Sequence, residues 1–132
     1  MQMQNNPYLQ TEAETLSPGQ LLLKAYEDLI SSINMAKEAI KNGDIAEKAK
    51  YISKADKTIS ILQAALDFEA GGEIAQNLDY LYKAIKHQLL LANANNSIEN
   101  LDNALEILTP LYEAWQEVVK KEEGAGNLEE GV

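Results

Sequence analysis

The chain has one histidine, His87, and no cysteine, so any metal site or proton relay has to use a single imidazole. Di-iron helical bundles bind their metals through two Glu-x-x-His pairs, and Ala84 stands where the glutamate of such a pair would be. A serine nucleophile would need the same histidine as its base. The lack of cysteine also removes disulfides and thiolate chemistry. We therefore expect no metal, no cofactor and no enzymatic activity.

The string His87-Gln88-Leu89 is similar to the start of the His-x-Leu-Lys-Gly motif of phosphorelay histidine domains, which are also four-helix bundles. Leu90 and Leu91 stand where the lysine and the glycine would follow. The basic neighbour of a phosphohistidine and the small residue that leaves it room are therefore both missing. A lone surface histidine is the simpler interpretation, and a phosphorelay domain is kept as a minor alternative.

The charge of the chain indicates which partners suit it. Its 21 acidic and 11 basic residues give a formal net charge of −10, and every basic residue is a lysine. Recognition of nucleic acid or of an anionic membrane depends on basic patches, so we expect neither nucleic-acid binding nor membrane insertion. No basic residue precedes Lys24 and no long apolar run follows it, which argues against a signal peptide or a membrane span. We expect a cytoplasmic protein.

Apolar residues recur at steps of three and four in four stretches, which predicts four amphipathic helices. The first helix is predicted over residues 18–41, because Ser17, Pro18 and Gln20 form a typical helix opening and Asn42-Gly43 suits a left-handed C-terminal turn. The apolar positions of the four stretches are Leu22, Tyr26, Leu29, Ile33, Ala36 and Ile40; Ile45, Ala49, Ile52, Ala55, Ile59, Leu62 and Leu66, continuing to Phe68; Ile74, Leu78, Leu81, Ile85, Leu89 and Ala92; and Leu101, Leu105, Leu108, Tyr112, Trp115 and Val119.

Capping residues set the boundaries of the other helices. Asp44 and Glu47 predict the start of the second helix, and the pair Gly71-Gly72 predicts its end. The polar run at 93–96 predicts the end of the third helix. Pro110 lies inside the fourth stretch, where it predicts either a kink or a break followed by a separate last helix.

Connections of only a few residues force consecutive helices to run antiparallel. We therefore predict an all-α fold, an antiparallel up-down-up-down four-helix bundle without strands. The expected organisation is an N-terminal segment at 1–16, the bundle at 17–121 and a flexible tail rich in glycine and glutamate at 122–132. A chain of 132 residues suits a single core.

Two helices carry wider apolar stripes than a single seam needs, at residues 21–23 and 89–91. Tyr80 also lies between the core positions Leu78 and Leu81 and points off the main seam. A partly buried tyrosine that covers the edge of the bundle is an equally good explanation for each aromatic residue taken alone. Together these features indicate a groove that could receive an amphipathic helix from a partner.

Several of these segments resemble the flagellin-specific secretion chaperones of the FliS family. Tyr8 lies ten residues before the proline of a Thr-x-Ser-Pro-Gly-Gln-Leu opening at residues 15–21, and residues 23–27 resemble the family's Leu-x-x-Tyr-(Asp/Glu) stretch. The most specific block is residues 66–78, LDFEAGGEIAQNL, followed by Leu81-Tyr82. Ala114-Trp115 matches the family's Ala-Trp pair. The resemblance covers about residues 6–120.

The resemblance implies a chaperone that binds the disordered C-terminal segment of flagellin, prevents its premature polymerisation and delivers it to the flagellar type III export apparatus. The expected partners are therefore this flagellin segment and, beyond it, the export gate and other flagellar regulators. A helical adaptor or regulator with a different amphipathic client is the alternative.

The resemblance also implies where the client binds. The expected client-binding residues are Tyr8, Ile59, Leu62, Leu66, Ile74, Asn77, Leu78, Leu81, Tyr82 and Trp115. The family's N-terminal segment can lie over part of the client-binding surface, with its tyrosine as an anchor. Residues 1–16 have thin, aperiodic apolar content and cannot form a stable helix alone, so we expect them to cover this surface with Tyr8 as the anchor.

Overall fold

The protein is an antiparallel bundle of four helices. The structure is a computed structural model that describes the backbone of residues 16–131 and the side chains of residues 16–124. The helices are α1 (Pro18–Lys41), α2 (Ile45–Ala64), α3 (Phe68–Asn95) and α4 (Ile98–Gly131). Each helix packs against two others, in the closed order α1, α2, α3, α4 and back to α1. The predicted up-down-up-down bundle is confirmed, and the described range contains no strand.

The first helix has the bounds that its capping residues predict. The Ser17 hydroxyl accepts a hydrogen bond from the Gln20 backbone N–H, and the Gln20 side chain accepts one from the Ser17 backbone N–H, so both halves of a capping box are present. At the other end Asn42 is the C-cap, and Gly43 takes the left-handed conformation with φ of 71°. The start of α1 is also tied to α4, because Gln20 Nε2 donates to Glu123 Oε1 at 2.7 Å.

The predicted end of the second helix at Gly71-Gly72 is wrong. α2 stops at Ala64, and α3 begins at Phe68 because the Asp67 carboxylate accepts from the backbone N–H groups of Glu69 and Ala70. The glycine pair lies inside α3, where Gly72 leaves helical geometry with φ of 48° and ψ of −122°. This conformation is open to glycine and strained for other residues, so Gly72 produces a kink after the first turn of α3.

The core follows the predicted stripes in the middle of each helix and departs from them near the starts of α2 and α3. Ile45 and Ala49 were expected to be buried, but both are exposed, whereas Lys48 is buried. In the first part of α3, Ala75 is buried in place of Ile74, which is 69% exposed. The main buried cluster consists of Tyr26, Leu29, Ile33, Ala36, Ile52, Ala55, Ile59, Leu62, Tyr82, Ile85, Leu89, Ala92, Leu101, Ala104 and Leu108.

The buried lysine closes the far end of α3. Lys48 Nζ donates to the backbone carbonyl of Asn93 at 2.9 Å and to Asn96 Oδ1 at 2.5 Å. Asn96 is the C-cap of α3 and adopts the left-handed conformation, so the helix ends within the polar run 93–96 that predicted its end. The ammonium group therefore satisfies a carbonyl at the end of the helix, which explains why a charged side chain replaces an apolar one in the α2–α3 interface.

Pro110 does not divide the fourth helix. α4 runs from Ile98 to Gly131 with Pro110 inside it, so a separate last helix does not form and the expected boundary at residue 121 lies within the helix. The flexibility of residues 122–132 stays a prediction. The N-terminal segment at 1–16, including Tyr8, lies outside the described residues apart from Leu16. Among the helices that the structure describes, none is long and apolar enough to cross a membrane.

Candidate binding cavity

An open apolar cavity of about 400 Å³ lies at the end of the bundle where α2 turns into α3. It is walled by the start of α1, the end of α2, the first turns of α3 and the middle of α4. Its lining residues are Leu22, Leu62, Ala65, Leu66, Asp67, Ala70, Gly71, Ile74, Ala75, Leu78, Tyr82 and Trp115. This volume falls within the usual range for ligand sites, and Asp67 is the one charged residue in the lining.

The cavity brings together six of the ten expected client-binding residues, namely Leu62, Leu66, Ile74, Leu78, Tyr82 and Trp115. Ile59 is fully buried in the core and does not line the cavity. Asn77 is exposed and Leu81 is partly buried, and neither is among the lining residues. Tyr8 lies outside the described residues.

Half of the lining was not anticipated as binding residues. These residues are Leu22, Ala65, Asp67, Ala70, Gly71 and Ala75. A signal for Leu22 was present, because it lies in the wide apolar run at 21–23. The alanines and the glycine could not be predicted as lining residues from the sequence, because their small side chains shape the cavity by leaving space open. Only the position of the α2–α3 turn shows that they lie together.

The kink at Gly72 and the small residues around it shape the cavity wall. The first turn of α3 is held by the Asp67 cap and by a 2.8 Å hydrogen bond from the Gly71 backbone N–H to the Asp67 carbonyl. A Cβ at Gly71 would lie 2.9 Å from the Ala75 Cβ, so this turn packs too closely for a larger residue. After the kink at Gly72, the exposed side chain of Ile74 lines the cavity instead of packing in the core.

Three aromatic side chains from three helices form a hydrogen-bonded chain beside the cavity. Trp115 Nε1 on α4 donates to the Tyr26 hydroxyl on α1 at 3.2 Å, and the Tyr26 and Tyr82 hydroxyls lie 2.7 Å apart. Tyr82, on α3, lies diagonally opposite α1 in the bundle. Both tyrosines are almost fully buried, and burial raises the pKa of each above its usual value. The phenols therefore stay protonated at physiological pH.

Tyr112 extends this group toward the surface. Its ring stacks on Tyr26, with ring centroids 6.5 Å apart and ring planes inclined by 18°. Its hydroxyl donates to Glu27 Oε2 at 2.5 Å, and this hydrogen bond to a carboxylate raises the pKa of Tyr112. Tyr112 does not line the cavity. The polar ends of the aromatic residues thus find partners while their rings supply apolar area.

The only histidine lies elsewhere. His87 is exposed on α3 and is not among the residues that line the cavity. Within residues 16–124, no group of three or more histidine, aspartate or glutamate side chains is arranged to hold a metal ion. The arrangement at the cavity suits binding of apolar side chains, because it combines an apolar lining with a few fixed polar groups.

Comparison with known proteins identifies the family. The family model described as flagellar protein FliS matches residues 1–122 of the chain. The chain belongs to the FliS family. Its relatives include the flagellar secretion chaperone FliS of Campylobacter jejuni, which is 34% identical over 124 residues, covering 91% of this chain and 97% of the relative. The flagellar secretion chaperone FliS of Salmonella typhimurium is 35% identical over 106 residues, covering 80% of this chain and 78% of the relative.

A more distant relative and a solved structure extend the comparison. The flagellar secretion chaperone FliS of Bacillus subtilis is 29% identical over 122 residues, covering 89% of each protein. A crystal structure described as a flagellar chaperone from bacteria superposes with a TM-score of 0.74 at 17% identity, covering 92% of this chain and 99% of that chain. At this identity the structural likeness establishes the shared fold. The resemblance found in residues 66–78 and in the Ala114-Trp115 pair thus led to the correct family.

Proposed function

We propose that this FliS-family protein is a cytoplasmic chaperone, without enzymatic activity, that binds the disordered C-terminal segment of flagellin and keeps it from polymerising before delivery to the flagellar type III export apparatus. Relatives that match most of the chain are named flagellar secretion chaperones. The single observation that carries the proposal is the open apolar cavity beside Trp115. A binding function needs such a surface, whereas a purely structural bundle would close it.

The cavity suits side chains from one face of an amphipathic helix. Such a helix presents anchors at i, i+3 or i+4 and i+7, and an apolar site between helices can receive them. Each Leu-sized anchor that becomes fully buried contributes roughly 1.5–3 kcal/mol. Ordering the disordered client offsets about 2–5 kcal/mol or more of this gain. Several anchors must therefore bind together, and a client with a single apolar residue would not be held.

The charge of the protein restricts the client further. The chain carries a net charge of −10, and Asp67 is the only charged residue in the cavity lining. A strongly acidic segment would be repelled both over a distance and at the rim. A neutral or basic apolar helix fits these conditions. Held in this way, its apolar face is removed from water and from other copies of the client.

Calorimetry with a synthetic peptide of the flagellin C-terminal segment tests the proposal, and a matched pair of isoleucines makes the test specific for the cavity. Ile74 and Ile61 are 69% and 68% exposed, but only Ile74 lines the cavity. Ile74→Glu places a charge at the cavity and should weaken binding at least tenfold. Ile61→Glu adds the same charge elsewhere and should leave the affinity within about twofold.

The peptide should also gain helix on binding, which far-ultraviolet circular dichroism measures. A peptide that shows neither heat nor gain of helix with the wild-type protein at high micromolar concentration would contradict the chaperone proposal. Equal losses in Ile74→Glu and Ile61→Glu would contradict the assignment to the cavity, because a long-range charge effect would then explain both.

A further inference from the structure

The turn between α2 and α3 brings two helix ends of opposite polarity to the rim of the cavity. The C-terminal end of a helix carries a partial negative charge, and the N-terminal end carries a partial positive charge. Ala65, the C-cap of α2, and Asp67, the N-cap of α3, both line the cavity. The groups that neutralise these two ends therefore decide which charge a bound client meets.

The positive end of α3 already has an anion. Asp67 Oδ1 accepts hydrogen bonds from the backbone N–H groups of Glu69 at 3.1 Å and Ala70 at 3.0 Å. Such a cap satisfies donors that the first turn of a helix cannot pair internally. Glu69 adds a second carboxylate to the same turn. The start of α3 therefore needs no negative charge from a partner.

The negative end of α2 has no cation. Its last turn contains no basic residue, and no lysine lies between Lys57 and Lys83 in a chain without arginine. Asp67 is exposed, and among the described residues it forms no ion pair and its second oxygen, Oδ2, accepts no hydrogen bond. Two groups that attract a positive charge, the end of α2 and the Asp67 carboxylate, thus lie at the rim of an apolar cavity.

We propose that the Asp67 carboxylate binds a lysine or arginine side chain of the client, next to the apolar residues that fill the cavity. This inference rests on the proposed function, because it names a specificity-determining contact at the same cavity. The apolar stem of either side chain can pack on the lining while its charged end reaches the exposed Asp67. The client is therefore an amphipathic helix with a basic residue beside its apolar anchors.

The charge of Asp67 favours a cation over a neutral donor. An amide N–H could also donate to Oδ2, but it would leave the carboxylate without a counter-ion once the client covers the cavity. An ion pair on an open surface contributes little, because water competes for both ions. Here the client itself removes water from the rim, so the pair is stronger in the complex than a surface pair.

Asp67→Asn isolates the charge, because asparagine caps a helix about as well as aspartate. Glu69→Gln is the control, since Glu69 is exposed on the first turn of α3 and does not line the cavity. Each lysine and arginine of the flagellin C-terminal peptide is replaced in turn by methionine. Calorimetry at low and high salt gives the affinity of every pair of protein and peptide. Circular dichroism verifies that both variants are folded at the titration temperature.

We expect Asp67→Asn to weaken binding of the unchanged peptide about three- to tenfold at low salt, and less at high salt because ions screen the pair. Glu69→Gln should change the affinity less than about twofold. One methionine replacement should weaken binding to the wild-type protein by a similar factor and have little further effect in Asp67→Asn. This loss of additivity identifies the two groups in contact.

Three results would overturn the inference while leaving the proposed function in place. In the first, the peptide binds, Ile74→Glu weakens it and Asp67→Asn does not. In the second, Asp67→Asn and Glu69→Gln weaken binding equally, as a long-range charge effect would. In the third, the effect of Asp67→Asn adds to that of every methionine replacement. A wild-type protein that binds no peptide would overturn both the proposed function and the inference.

Discussion

Trp115 Nε1 donates a hydrogen bond to the hydroxyl oxygen of Tyr26, and the two atoms lie 3.2 Å apart. Because Trp115 is on α4 and Tyr26 on α1, this bond joins two helices at the edge of the candidate binding cavity. Trp115 is also the only tryptophan of the chain and lines the cavity. Trp115 therefore stabilises the cavity wall, and its fluorescence can show whether the cavity is occupied.

The buried tyrosine pair predicts how the stability of the protein depends on alkaline pH. Burial raises the pKa of both Tyr26 and Tyr82 above the ordinary value of 10.0. Above that pH the unfolded chain releases phenolic protons that the folded protein retains, so the free energy of unfolding should fall, by up to about 1.4 kcal/mol per pH unit for each tyrosine. Below pH 10 this contribution is fully present and constant.

Urea denaturation at several pH values measures this effect. The wild-type protein and Tyr82→Phe should differ in slope only above about pH 10, with the variant losing stability less steeply. The comparison isolates the Tyr82 phenol, because every other titratable group is present in both proteins. Parallel curves would show that the Tyr82 phenol does not keep its proton in the folded state.

The buried Lys48 predicts a destabilising substitution far from the cavity. Lys48→Met keeps the apolar part of the side chain and removes the donor to Asn93 and Asn96. The free energy of unfolding should fall by about 1–3 kcal/mol, because the end of α3 loses its partner. Lys54→Met is the control, since Lys54 is exposed on the same helix and should change stability by less than about 0.5 kcal/mol. Equal effects in the two variants would refute the role of Lys48.

Alanine substitutions at two glycines should change stability in opposite directions, because Gly72 lies in the kink and Gly124 does not. An alanine Cβ at Gly72 would meet no atom within 4 Å, so Gly72→Ala tests backbone strain alone. With φ of 48° the cost should be about 1–3 kcal/mol. Gly124 lies in helical backbone with equal space, and Gly124→Ala should gain about 0.5–1 kcal/mol. Chemical denaturation gives both values, and a neutral Gly72→Ala would contradict the kinked geometry.

The N-terminal segment at 1–16 predicts an effect on client affinity. If it covers the cavity with Tyr8 as its anchor, deleting it or making Tyr8→Ala should tighten binding of the flagellin peptide and increase self-association of the free protein. Tyr80→Ala is the control, because Tyr80 is 73% exposed and does not line the cavity. Weaker binding in both N-terminal variants, with the bundle still folded, would instead make Tyr8 a direct client contact.

Capping residues predicted both ends of α1, the start of α2 and the end of α3, but the start of α3 was not predicted. Ser17 and Gln20 gave the start of α1, and the polar run 93–96 gave the end of α3. The start of α3 was missed because Gly71-Gly72 is a common stop signal, and the second helix was predicted to extend to it. The residue that caps α3, Asp67, lies inside that predicted stretch. Gly72 does adopt a conformation that favours glycine, but this conformation kinks a helix instead of ending one.

The family resemblance gave six of the cavity residues, but apolar spacing could not separate cavity residues from core residues. Ile59 and Ile74 occupy equivalent stripe positions, yet one is fully buried and the other is 69% exposed, because the kink at Gly72 turns the start of α3 away from the seam. The burial of Lys48 was also hidden from periodicity, since it depends on where the C-cap of α3 lies in space. Both features arise from contacts between elements.

Fluorescence of Trp115 during titration with the flagellin C-terminal peptide tests the central claim most directly, because the only tryptophan lines the proposed site. If the client fills the cavity, the emission should shift to shorter wavelength and acrylamide should quench it several times less at saturation. The midpoint should agree with the calorimetric affinity. If calorimetry shows binding while the emission and the quenching of Trp115 stay unchanged, the client binds elsewhere and the cavity is not its site.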